Sequence, residues 1–200
     1  MLRIFLTVSV LFWNQLAAEK AVEEALDICG ETDCLKPIEI IKDKNYNELE
    51  VGFHRRVETE VHAVNFQSAM EIGLEKLFNY SRCGNAAGTI IPISSPWGVF
   101  GYFENGKIQQ EFGVFVEIVP EVMNPPEPKD PTVKIVNVPH VWYYARGFDN
   151  KVDDEQIEER VIQLLKDLEQ DNQPFNRKIF AIAFTNTQGL MGIAFLKIGE

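Results

Sequence analysis

Three cysteines and three histidines are the residues of this 200-residue chain best suited to metal, redox or nucleophilic chemistry. Cys29-Gly-Glu-Thr-Asp-Cys34 places two thiols close enough to close a small loop in an oxidising compartment, with Gly30 tolerating the backbone angles of a tight turn. Metal binding is the alternative for such a pair. No further Cys or His clusters beside it, so a local disulfide is the preferred reading. Cys83 is then left over and is expected to be packed rather than reactive. His54, His62 and His140 are too scattered to suggest a protein-held metal. The sequence contains no Gly-rich phosphate loop, HExxH, CxxC or nucleophile elbow, and binding without catalysis is expected. Asn79-Tyr80-Ser81 is the single N-glycosylation sequon, on the outer side of a predicted helix.

Whether those thiols meet an oxidising compartment depends on the N-terminus. Arg3 is followed by an apolar run from Ile4 to Trp13 and by small residues Ala17 and Ala18, the layout of a cleavable signal peptide over residues 1–18. The run is about half the ~20 residues a spanning helix needs. The expected protein is therefore secreted and is not inserted in a membrane. Cleavage after Ala18 removes Arg3 and no acid, leaving 18 basic and 30 acidic residues, net −12. Such a surface repels phosphate backbones, which argues against nucleic acid as a partner. A lead-in segment over residues 19–36 precedes one domain over 37–200, long enough for a single core.

Within the domain, period-two apolar patterns predict strands near Ile38–Ile41, Leu49–Phe53, Val57–Val61, Trp97–Phe103 and Ile108–Val119. They continue at Val133–Val136, Val141–Ala145, Lys178–Phe184 and Met191–Ile198. Helices are predicted from about Phe66 to Ser81, capped by Asn65, and after Asp153, where Gln156 completes a capping box. The order is strand, strand, helix, strand, strand, given twice. Asn105-Gly106 signals a type I′ hairpin, Gln188-Gly189 can turn the last one, and the prolines between 120 and 131 mark an extended link. Trp142-Tyr143-Tyr144 alternates across a strand and is read as core and sheet surface rather than a ligand cage. On the first helix Phe66, Met70, Gly73 and Leu77 form the core stripe. Phe78 falls about 110° from that stripe with Leu74 between, which is either a broad core contact or the wall of an apolar pocket.

Several segments resemble the SOUL/haem-binding protein family: the helix Phe66–Tyr80 followed by Gly88-Thr-Ile-Ile-Pro-Ile-Ser94, the loop Pro125-Pro-Glu-Pro-Lys-Asp130, and Ala145-Arg-Gly-Phe148. The pair Cys29 and Cys34 is similar to that of the family's secreted members. The resemblance spans roughly Cys29 to Lys197. It implies an α+β fold: a distorted antiparallel β-barrel of two strand-strand-helix-strand-strand halves, flanked by two helices. It also implies non-catalytic binding of haem or another tetrapyrrole between the first helix and the last hairpin. Carried onto this chain, the ligand-binding residues are Leu74, Phe78, Leu190 and Met191, with His54 as an axial iron ligand. Glu71 and Asn79 stand where basic partners for the propionates are expected, and the loop Thr185 to Leu190 has no Lys or Arg. The expected function is a secreted tetrapyrrole carrier or sequestering protein. The alternative is a domain of the same fold for another apolar small molecule or a protein partner.

Overall fold

The computed structural model describes residues 35, 38–42, 45–149, 153–184 and 190–198. The expected signal peptide, Cys29 and Cys34 with their disulfide, and the Gln188-Gly189 turn lie outside the described residues. Among the described residues two helices and nine strands follow in the order β1 (Glu39–Lys42), β2 (Asn47–Val51), β3 (His54–His62), α1 (Phe66–Ser81), β4 (Ile93–Glu104), β5 (Lys107–Ile118), β6 (Val133–Val138), β7 (Val141–Asp149), α2 (Asp154–Gln170), β8 (Phe175–Phe184) and β9 (Leu190–Lys197).

The strands form one antiparallel sheet in the order β1-β2-β7-β9-β8-β4-β5-β3-β6. With β1 set aside, the predicted doubled order becomes a two-fold relation in space. Each half gives its first strand to the other: β2 pairs with β7 and β6 with β3, while β4 and β8 meet at the centre. Only Pro139 and His140 separate β6, at one edge, from β7 near the other. So short a link curls the sheet upon itself without closing its hydrogen-bond ladder, which is the distorted barrel expected.

Alternation along the strands separates the two faces. On β5, Phe112, Val114, Val116 and Ile118 enter the main core, while Gly113, Phe115 and Glu117 face the concave side. Helix α1 covers β3, β4 and β5, and α2 covers β8 and β9. The approach of α1 depends on Gly73, where a Cβ would stand 2.4 Å from Val114. Phe66 packs edge-on against Phe112 and Phe180, with centroids 5.2 and 6.0 Å away. Both caps form as predicted. Asn65 Oδ1 accepts from Ser68 N at 2.9 Å, and Asp153 and Gln156 bond reciprocally. Asn105 and Gly106 take φ of 52° and 77°, the positive values a type I′ hairpin needs.

The proline-rich link is docked rather than free. Tyr80 donates its hydroxyl hydrogen to Pro126 O at 3.0 Å, and Ala86 N and Lys129 N pair with Glu127 O and Gly84 O. The turn it meets corrects one expectation. Cys83 is exposed, at φ 91°, instead of packed. The chain must reverse sharply after α1, and the left-handed position falls on this residue.

Candidate functional site

The concave side of the curled sheet encloses a cavity of about 380 Å³, within the ~300–1,000 Å³ usual for small-molecule sites. Its walls alternate in from several strands: Phe100 and Tyr102 from β4, Tyr143 from β7, Ile179 from β8 and Leu196 from β9. Strand β3 adds Arg56, Glu58 and Glu60. Phe100 stacks on Phe115 with centroids 4.6 Å apart, and the Arg56 guanidinium lies 4.3 Å from the Phe100 centroid. Arg56 Nε also donates to Glu58 Oε2 at 3.0 Å. The lumen thus already holds a cation against an aromatic face.

Behind Arg56 and Tyr143, on the same face, lies Glu117, with 2 % of its surface exposed. Its Oε2 has no hydrogen-bond partner among the described residues. Burial pushes its pKa up to about 8, with Arg56 opposing and Glu58 reinforcing the rise. The nearest ring is His54, whose Nε2 is 3.8 Å from Glu117 Oε1. Burial pulls the His54 pKa down. Each shift favours the neutral form, so this contact is not an ion pair at neutral pH. His54 Nδ1 donates to Gly52 O at 2.8 Å, which places the lone pair of the neutral ring on Nε2.

Of the four residues expected to hold a ligand, the structure describes the side chains of Leu74 and Phe78. Leu74 and Phe78 are 5 % and 8 % exposed and belong to the main core, so the apolar flank of α1 is a broad core contact and no pocket wall. Leu190 and Met191 begin β9, and their side chains lie outside the described residues. His54 belongs to the opposite face from the helices, beside Glu117. Asn79 is exposed on α1, as its sequon requires. The residues that sequence reasoning missed are Arg56, Phe100, Glu117 and Tyr143. The signal for Glu117 was present: a lone acid inside the apolar run from Phe112 to Val119.

A curled antiparallel sheet with helices on its convex face and an aromatic-lined lumen defines a class of α+β barrel-like domains with a small-molecule-sized cavity. Within that class, this chain belongs to the SOUL heme-binding protein family, whose model matches residues 36–189. No curated protein matches it in sequence. Among solved structures it is similar to the EcmrR C-terminal domain, at 9% identity and a TM-score of 0.57, covering 78% of this chain and 99% of that one. It is also similar to a hydrolase from Listeria innocua, at 8% identity and a TM-score of 0.48, covering 82% and 92%. The first of these likenesses concerns the fold alone.

The family's ligand fits the residues present in one respect and not in another. The aromatic and aliphatic walls suit a porphyrin ring, and Arg56 is a cation for a carboxylate. His54 does not suit the axial role, because Nε2 faces the buried Glu117 carboxyl and its side chain is 8 % exposed. Among the described residues no cluster of three His, Cys, Asp or Glu side chains is arranged to hold a metal.

Proposed function

We propose that this chain is a secreted, non-catalytic protein that binds a tetrapyrrole, haem foremost, as a carrier or sequestering agent. The observation that carries the reading is the family match over residues 36–189. With Leu74 and Phe78 in the core, the apolar area offered to a ring is the lumen wall around Tyr102, Ile179 and Leu196. Ring contact supplies the affinity, at ~25 cal/mol per Å² of apolar area buried before ordering costs. Glu58 and Glu60 oppose the propionates, which stay at the mouth where water and salt screen them. Secretion rests on the N-terminal layout, and the absence of catalysis on the lack of a nucleophile or acid/base motif. The test is a haemin titration followed at the Soret band for wild type, Ile179→Asp and His54→Ala. A saturable change is expected in wild type and His54→Ala, and a loss in Ile179→Asp. A flat wild-type titration overturns the reading, and a loss in His54→Ala assigns the iron to that ring instead.

A further inference from the structure

We propose that the lumen is a binding site for a small apolar carboxylic acid, whose carboxylate is held by Arg56 with Tyr102 and Tyr143 as flanking donors. This goes beyond the tetrapyrrole reading, because the guest is smaller and carries its charge inside the lumen rather than at the mouth.

Among the described residues that line the cavity, Arg56 is the single cation. Its guanidinium is partly buried and uses one donor, Nε, on Glu58 Oε2 at 3.0 Å. The two terminal nitrogens have no hydrogen-bond partner among the described residues. In a guanidinium they form a planar fork that matches the two oxygens of a carboxylate. The stacked rings of Phe100 and Phe115, 4.3 and 5.4 Å from the guanidinium carbon, hold the group in place, so little freedom is lost when a guest arrives. The rings take the face of Arg56 and leave its hydrogen-bonding edge unused.

Tyr102 and Tyr143 line the same cavity, and neither hydroxyl has a hydrogen-bond partner among the described residues. Burial keeps both phenols protonated and able to donate, and the charge of Arg56 acts on each, which puts the three groups around one place. Val138, Val141, Ile179 and Leu196 supply an apolar wall for the body of the guest. At about 380 Å³ the cavity is at the small end of the ~300–1,000 Å³ range, which limits the size of that body.

Acidic neighbours weaken such a site without cancelling it. Glu58 engages Arg56 through Nε alone, and Glu60 is exposed, where water and salt screen it. Glu117, the register partner of Arg56, titrates at about 8 and is largely neutral at pH 7. Glu58 therefore gives the site a distinctive sign: removing its charge leaves Arg56 wholly to the guest and strengthens binding.

The experiment is calorimetric titration at pH 7 with naphthalene-2-carboxylate, beside the uncharged alcohol naphthalene-2-methanol. Expected in wild type is acid binding tighter than alcohol binding by roughly tenfold or more, the worth of a charge-assisted pair. In Arg56→Met, which keeps an unbranched side chain against Phe100, that preference is lost. Glu58→Gln raises acid affinity several-fold, and Tyr143→Phe lowers it several-fold. These two variants carry the test if Arg56→Met does not fold. No acid binding in wild type, equal affinity for acid and alcohol, or an intact preference in Arg56→Met would overturn the proposal. Unchanged or weaker acid binding in Glu58→Gln would overturn the assignment of the carboxylate to Arg56. Unchanged acid affinity in Tyr143→Phe would remove that hydroxyl from the site. A flat haemin titration bears on the tetrapyrrole reading and leaves each of these outcomes intact.

Discussion

Glu117 and His54 lie side by side on the concave face of the sheet, and burial drives both toward neutrality from opposite directions. For Glu117 the folded pKa, about 8, is above the ordinary 4.5. The folded chain therefore keeps a proton that the unfolded chain surrenders, and stability is lost as pH rises from about 4.5 through 8. For His54 the folded pKa is depressed below 6.5, so its contribution is present above that value and lost as pH falls through the lower folded one. Replacing Glu117 by Gln removes only the alkaline loss. Denaturant unfolding of Glu117→Gln beside wild type should show the variant more stable at pH 9, by on the order of 4 kcal/mol, with the gap narrowing as pH falls and closed only below the ordinary value of 4.5. Parallel pH profiles would show that the carboxyl is not held neutral by burial.

Helix α1 shows how one element fixes the distance between the layers. Gly73 sits where a Cβ would come within 2.4 Å of Val114, a β-branched residue that cannot turn aside inside the core. Gly73→Ala should therefore destabilise the fold by ~1–3 kcal/mol despite the higher helix propensity of alanine. Urea unfolding reads this directly, and a neutral or stabilising result would mean that the helix can slide. Gly73 was legible in the sequence as part of the buried stripe, as were the bounds of α1, both caps and the doubled order of elements. These follow from local rules: spacing, capping chemistry and turn residues. The lumen does not. Its walls come from seven strands, β3 to β9, brought together by the exchange of β2 and β6 between halves, a non-local event with no local signature. Phe78 shows the same limit, since its offset of about 110° from the stripe centre does not reveal that non-local core residues bury it. Tyr143 was correctly separated from Trp142 and Tyr144 by alternation, but only the fold shows that its side of the strand is the lumen.

At the scale of the whole molecule, the exposed Cys83 changes what oxidising conditions would do. A packed third cysteine would be inert, whereas one at the surface after α1 is open to alkylation and to exchange. Selective pairing of Cys29 with Cys34 then depends on proximity: four intervening residues make that loop cheap to close, while Cys83 is about fifty residues away along the chain. The bond would tie down the lead-in segment and leave the sheet, which already has its own core, largely unaffected. Expression through a secretory pathway should yield a chain starting at or near Glu19. Asn79 lies on the same helix, exposed, and should carry a glycan. Peptide mapping without reduction should show Cys29 linked to Cys34 and Cys83 open to alkylation, and glycosidase treatment should increase gel mobility. A link from Cys83 to either partner would overturn the pairing. A chain retained in the cell with residues 1–18 attached would overturn secretion itself, and an unchanged mobility would show that Asn79 is not used.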